Sequence, residues 1–101
     1  MKLEVVEFYP NDTVIVTRAG TKILGTMHLF IDDFSLDLRG ILCCRNKQGQ
    51  YKCFLPSRLA CNDEGEEIRM PFISFTDQKL NKEILAFCRN DLKARFTETK
   101  V

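Results

Sequence analysis

A turn between two alternating segments constrains the fold of this chain more than any other feature. The residues Asn-Lys-Gln-Gly at 46–49 separate the segment Phe34–Arg45 from the segment Tyr51–Arg58. Polar turn residues that end in glycine, placed between runs of alternating apolar and polar side chains, are typical of a β-hairpin. The predicted hairpin pairs Ile41 with Leu55, Cys43 with Cys53 and Arg45 with Tyr51.

The N-terminal third of the chain predicts three further strands. Lys2–Tyr9 forms the first, a turn at residues 10–12 follows, and the β-branched run at 13–17 favours a second strand, Thr13–Arg18. Ala19-Gly20 ends that strand, and Thr21–Ile31 forms the third.

Asp32-Asp33 predicts a two-residue hairpin loop that sets Ile31 opposite Phe34. The remaining predicted pairs are Leu29–Leu36, His28–Asp37, Met27–Leu38, Thr26–Arg39, Gly25–Gly40 and Leu24–Ile41. In this register the side chains of Ile41 and Cys43 lie on the sheet face opposite to that of Met27 and Leu29, so both faces carry apolar residues. A sheet that is apolar on both faces needs a helix on one face and a helix or second subunit on the other.

The C-terminal third predicts one strand and one helix. The strand Glu67–Phe75 contains Pro71, which favours an edge or a bulge, and Thr76 or Asp77 can cap the helix. The apolar residues of the helix are Leu80, Ile84, Phe87, Cys88 and Leu92, with Leu85 and Phe96 widening the stripe. The predicted fold is α+β: a twisted, mostly antiparallel sheet of five to six strands with one C-terminal amphipathic helix. We expect a single domain over residues 1–96 and a frayed tail over 97–101.

Length and composition limit the classes of protein to consider. A domain of 101 residues has a modest core, so a partner subunit would stabilise it. No segment approaches the roughly 20 apolar residues of a membrane span, and Glu4 and Glu7 interrupt any secretory signal, so we expect a cytoplasmic protein. The five cysteines include no C-x-x-C pair and the chain has one histidine, so we expect no metal and no cofactor. If Cys43 and Cys53 face each other, oxidation could join them.

Positive charge is concentrated although the net charge is only +1. Residues 38–62 contain five basic side chains and no acid, and the acidic loop 63–67 follows. Lys79, Lys82, Arg89 and Lys93 fall within one narrow arc of the predicted helix and could meet successive phosphates. The alternative is a solvated helix face that Asp77, Glu83 and Asp91 partly neutralise.

Two further groups of side chains allow alternative interpretations. In the hairpin, Tyr51 could stack a nucleic-acid base, or it could cover the stem of Arg45, which the pairing favours. Arg45, Lys47 and Arg58 are the better candidates for phosphate contacts. The pair His28–Asp37, with Ser35 nearby, is the one constellation that would suit a hydrolase, but a cross-strand ion pair explains the same residues.

The order of several short motifs resembles the SpoVG family. The resemblance covers about Ile23 to Phe96, and its motifs are Asp37-Leu38-Arg39, the turn at 46–49, Pro56-Ser57-Arg58, Glu64-Gly65-Glu66, the segment 67–72 and a C-terminal helix with spaced basic residues. The chain departs from the family pattern at Leu59-Ala60-Cys61 and at Met70, and the strand Thr13–Arg18 is additional.

The resemblance implies a small, cytoplasmic, bacterial homodimer that binds DNA, and in some cases RNA, as a regulator without enzymatic activity. The candidate nucleic-acid-binding residues are Lys79, Lys82, Arg89, Lys93, Arg58, Arg45 and Lys47. The alternative is a protein–protein interaction module, in which the apolar sheet and the acidic loop serve a protein partner and no nucleic acid is bound.

Overall fold

The computed structural model describes residues 1–98 as six strands followed by one helix. Strands β1 (Leu3–Val16), β2 (Lys22–Ile31), β3 (Leu36–Arg45) and β4 (Tyr51–Phe54) form an antiparallel sheet in that order. Strands β5 (Ser57–Cys61) and β6 (Glu67–Pro71) form a two-stranded ribbon, and helix α1 spans Gln78–Glu98. The predicted α+β class is confirmed, with the strands divided between two sheets.

The β3–β4 hairpin has the predicted register. The Asn46 N–H donates to the Gln50 carbonyl at 2.9 Å, and the Gly49 N–H donates to the Asn46 carbonyl at 3.0 Å. Gly49 has a φ of +85°, a conformation that glycine adopts without steric cost. Cys43 pairs with Cys53 and Arg45 with Tyr51. Because β4 ends at Phe54, the predicted pair Ile41–Leu55 does not form part of the ladder.

The predicted β2–β3 register is wrong by two residues at the turn. The connection is longer than the predicted two-residue loop. Asp32–Phe34 forms a 3-10 turn, and Ser35 follows in the left-handed conformation with a φ of +48°. The Ser35 N–H donates to the Asp32 carbonyl at 3.0 Å. Ile31 therefore pairs with Leu36 and Leu29 with Leu38.

The prediction of which sheet face Ile41 and Cys43 occupy is also wrong, because β3 contains a bulge. Met27 pairs with Ile41 while Leu29 pairs with Leu38, so two residues of β3, Arg39 and Gly40, lie opposite the single residue His28. The extra residue shifts the alternation, and Ile41 and Cys43 join the buried cluster of Met27 and Leu29. The other predicted pairs are replaced accordingly, by Gly25–Cys43 and Thr26–Leu42.

β1 continues through the segment where the sequence predicts a turn. It pairs with β2 from Leu3–Ile31 to Pro10–Gly25 and again at Ile15–Ile23, so residues 11–14 bulge out opposite Leu24. The sheet tolerates Pro10 because β1 is an edge strand. β1 and β2 approach closely at Gly25, where an added Cβ would lie 2.2 Å from the Tyr9 carbonyl oxygen.

The predicted strand Tyr51–Arg58 is wrong, because the chain divides there into β4, which ends at Phe54, and β5, which begins the ribbon at Ser57. β5 pairs with β6 from Ser57–Pro71 to Cys61–Glu67. The Asn62 side chain closes the turn by accepting hydrogen bonds from the Glu64 and Glu66 N–H groups at 3.0 and 2.9 Å. β6 ends at Pro71, so the predicted strand to Phe75 is too long.

Helix α1 covers the buried face of the four-stranded sheet. Ile84, Cys88 and Leu92 are fully buried, and Leu80, Leu85 and Phe96 pack around them. The prediction that Phe87 belongs to this stripe is wrong, because its side chain is 36% exposed. The helix includes Thr97 and Glu98, and the rest of the predicted tail lies outside the described residues. No helix within residues 1–98 is long and apolar enough to cross a bilayer.

Candidate functional site

Two adjoining grooves lie where α1 packs beside β4. The first has a volume of about 430 Å³ and is lined by the cations Lys52, Lys82 and Arg89, with Cys53 among its other residues. The second, of about 470 Å³, is lined by Lys52, Arg89 and Lys93 together with the hairpin turn. Because they share Lys52 and Arg89, we treat them as one surface, the basic groove, defined by Lys52, Lys82, Arg89 and Lys93.

The secondary structure places these four cations together. The spacings of seven and four residues put Lys82, Arg89 and Lys93 on one side of α1, while Ile84, Cys88 and Leu92 face the sheet. Lys52 alternates with the buried Cys53, so its side chain starts on the face of β4 away from α1, and it borders the groove because β4 is the last strand of its sheet. The basic groove is thus built from one helix side and one strand edge.

The acidic side chains of the described residues lie outside the lining of the basic groove. None of the described side chains that line either groove is acidic. Asp77 instead accepts hydrogen bonds from the N–H groups of Lys79 and Leu80, and Asp91 pairs with Arg95. No described carboxylate forms an ion pair with Lys82, Arg89 or Lys93.

The free edge of β4 adds backbone donors to this surface. Hydrogen-bonded and non-hydrogen-bonded pairs alternate along an antiparallel ladder, and Asn46 is hydrogen-bonded to Gln50. Tyr51 and Cys53 therefore occupy non-hydrogen-bonded positions, and their N–H groups point away from β3. Ammonium, guanidinium and peptide N–H groups together are the donors that phosphate oxygens accept in proteins.

The other predicted phosphate ligands lie elsewhere. The Arg45 guanidinium lies 5.2 Å from the centroid of the Tyr51 ring, and its Nε donates to the Gly49 carbonyl at 3.2 Å. Lys47 is exposed on the hairpin turn, and its methylene groups lie against Gly20. Arg58 is exposed on β5, in the ribbon. None of the three lines the basic groove.

Two further predicted residues have defined positions. Lys79 is exposed in the first turn of α1, on the same arc as Lys82, but it does not line either groove. Tyr51 is half-buried, and its ring centroid lies 5.9 Å from that of Phe96. Its packing supports the interpretation that Tyr51 covers Arg45 and the edge of the core rather than stacking a base.

Lys52 is the groove residue that the sequence analysis does not select. Its alternation with Cys53 in the predicted hairpin places it away from the core, which is typical of a solvated side chain. Only the position of α1 beside β4 shows that Lys52 and Arg89 border the same groove. The sequence pattern of the hairpin contains no signal for that contact.

His28 and Asp37 are in contact although they are not cross-strand partners. The His28 Nε2 and the Asp37 Oδ1 are 2.8 Å apart, and the His28 residue is 6% exposed while the Asp37 side chain is 54% exposed. The two side chains are therefore within hydrogen-bond distance across the β3 bulge. Among the described residues, no group of three or more His, Cys, Asp or Glu side chains is arranged to hold a metal ion.

Comparison of the chain with protein-family models, with curated proteins and with solved structures found no match. The resemblance to the SpoVG family therefore stays a prediction that depends on the order and spacing of its short motifs.

Proposed function

We propose that this protein is a non-enzymatic regulator that acts in the cytoplasm as a homodimer and binds DNA or RNA through the basic groove. The observation that supports this proposal is a groove at a strand edge that is bordered by four basic residues, Lys52, Lys82, Arg89 and Lys93, with no described acid among its lining residues. The SpoVG-like order of motifs supports the same class of function.

The groove suits a phosphodiester backbone for electrostatic reasons. Each phosphate that a cation neutralises releases condensed counterions, which favours binding at low salt even when the net charge of the protein is only +1. Phosphate contacts position a nucleic acid without reading its sequence. A two-fold axis would double the number of cations that one nucleic acid can meet.

Reversing two groove charges tests this proposal. We expect the double variant Lys82→Glu, Arg89→Glu to bind labelled single- and double-stranded DNA and RNA at least about tenfold more weakly, as measured by fluorescence anisotropy at low salt. The matched control is Lys22→Glu, Arg39→Glu, which makes the same charge change at exposed positions outside the groove. Equal loss in both double variants, or no loss in the groove variant, would contradict a local binding site.

A protein-interaction module is the second candidate function, and the ribbon favours it. Ile68, Met70 and Phe72 alternate along one side of the ribbon and are exposed, with Phe72 at 70%. The turn beside them carries Asp63, Glu64 and Glu66. If the folded protein binds none of the four nucleic acids at low salt, this second function replaces the first.

A further inference from the structure

Cys43 and Cys53 occupy positions that a disulfide can join. They are direct partners on β3 and β4, and no register shift interrupts that ladder. Counting alternately from the hydrogen-bonded pair Asn46 and Gln50, the two cysteines form a non-hydrogen-bonded pair. The Cα atoms of such a pair lie about 4.5 Å apart, within the range that disulfides span.

Both thiols lie on the face of the sheet that α1 covers. Cys43 is fully buried, and its thiol donates a hydrogen bond to the Ile41 carbonyl at 3.6 Å, while Cys53 is 7% exposed. Cys43 has no access to solvent, whereas Cys53 lines the first groove beside Arg89. A small reagent in that groove therefore meets Cys53 before Cys43.

The surroundings also make Cys53 the more acidic thiol. The neighbouring Cys43 thiol, as a donor to the Cys53 thiolate, and the nearby Arg89 guanidinium lower the pKa of Cys53, although burial and the Asp91 carboxylate oppose them. Its interaction with Cys53, together with burial, raises the pKa of Cys43. Because the thiolate is the form that reacts with oxidants, Cys53 is suited to react first and Cys43 to resolve the product.

We propose that Cys43 and Cys53 are a redox modification site, at which a small hydroperoxide converts the two thiols into a reversible cross-strand disulfide. The Cys53 thiolate attacks one oxygen of hydrogen peroxide, the O–O bond breaks, and hydroxide leaves, which yields a sulfenic acid. The Cys43 sulfur then attacks the Cys53 sulfur, the S–S bond forms, and water leaves with the proton of the Cys43 thiol. Overall, two thiols are oxidised and one peroxide is reduced to two waters.

This site does not depend on the proposed nucleic-acid binding. The disulfide would, however, form beside the basic groove and would remove the Cys53 thiolate from the vicinity of Arg89. An oxidant can reach Cys53 from the groove, so oxidation would change the surface of the groove.

Hydrogen peroxide treatment of the native protein tests the proposal. We expect an intact mass lower by two hydrogen atoms, restored by dithiothreitol, and a peptide map that links residue 43 to residue 53. Cys61→Ser is the matched control, since Cys61 is exposed on β5, and it should give the same product. Cys43→Ser should not lose the hydrogens, and its Cys53 should instead be trapped by dimedone as the sulfenic acid.

Other outcomes would overturn the proposal. A link from Cys53 to Cys88, which lies on α1 across the core, would assign the wrong resolving thiol. A link that forms only in urea, or only between two chains through Cys61, would show that the native hairpin does not bring the pair into reach. Circular dichroism of Cys43→Ser checks its fold, and the peptide map of the unsubstituted protein decides the question even if that variant unfolds.

Discussion

At the scale of single residues, Asp77 determines where α1 begins. Its Oδ1 accepts hydrogen bonds from the Lys79 and Leu80 N–H groups at 2.9 and 3.3 Å. We expect Asp77→Ala to lower the free energy of unfolding by about 1 kcal/mol, because the first turn of the helix loses its acceptor. Urea denaturation measures this, with Asp63→Ala as the control for an exposed acid. A loss no larger than that of the control would contradict the capping role.

Gly25 permits the close approach of β1 to β2. A Cβ at this position would lie 2.2 Å from the Tyr9 carbonyl oxygen and 2.9 Å from the Pro10 Cα, and neither backbone atom can move without disturbing the ladder. We expect Gly25→Ala to lower the free energy of unfolding by about 3 kcal/mol. Thermal or urea unfolding checks this value.

The matched control for that variant is Gly40→Ala. Gly40 has a φ of +82°, and an added Cβ would meet no atom within 4 Å, so only backbone strain opposes the substitution. We expect it to lower the free energy of unfolding by about 1 kcal/mol. Equal losses at the two positions would mean that β1 can move away from Gly25 without loss of stability.

At the scale of elements, α1 is held by a narrow set of side chains. Leu92 is fully buried in the cluster under the helix, whereas Phe87 is 36% exposed. We expect Leu92→Ala to lower the free energy of unfolding by about 3 kcal/mol through loss of burial and the cavity that is left. Phe87→Ala should change it by less than about 1 kcal/mol. Urea denaturation of both variants measures these losses. A larger loss of unfolding free energy in Phe87→Ala than in Leu92→Ala would contradict this packing.

The predictability of each element follows from how locally its geometry is encoded. The β3–β4 register is correct because Gly49 and its polar neighbours select one turn, and the turn fixes the pairing. The β2–β3 register is wrong because two features lie outside the alternation of side chains. One is the 3-10 turn at Asp32–Phe34, and the other is the bulge at Arg39 and Gly40.

The candidate site divides in the same way. Helical periodicity alone predicts that Lys82, Arg89 and Lys93 share one side of α1, because that relation is local to the helix. Lys52 borders the basic groove only because α1 packs beside β4. Neither the sequence of the helix nor that of the strand predicts this packing by itself. β5 is not predicted for a similar reason. It is defined by its pairing with β6, and the sequence of neither strand predicts that pairing alone.

At the scale of the whole molecule, charge is separated while the total nearly cancels. The net charge is +1, yet the basic groove lies between α1 and β4 and the acidic turn 62–66 lies at the end of the ribbon. The Cα radius of gyration is 14.3 Å, larger than the roughly 13 Å of a compact chain of this length, which is in keeping with a ribbon outside the main sheet. The proposed binding of a polyanion would therefore be a local property of the groove.

This separation predicts the salt dependence of the proposed nucleic-acid binding. The logarithm of the binding constant should fall linearly with the logarithm of salt concentration, with a slope of about 0.7 for each phosphate neutralised on a single strand. Lys52 borders both halves of the basic groove. Lys52→Gln should therefore remove about one phosphate contact from each groove that binds the strand, which lowers the slope by about 0.7 per groove.

Fluorescence anisotropy over a salt titration measures the slope, and Lys22→Gln provides the control with the same change in net charge at an exposed position outside the groove. If binding responded to the field of the whole molecule, the two variants would lose equal affinity, since each lowers the net charge by one. A lower slope in Lys52→Gln alone would instead locate the phosphate contacts at the edge of β4, where the cations converge without an acidic neighbour in the groove lining.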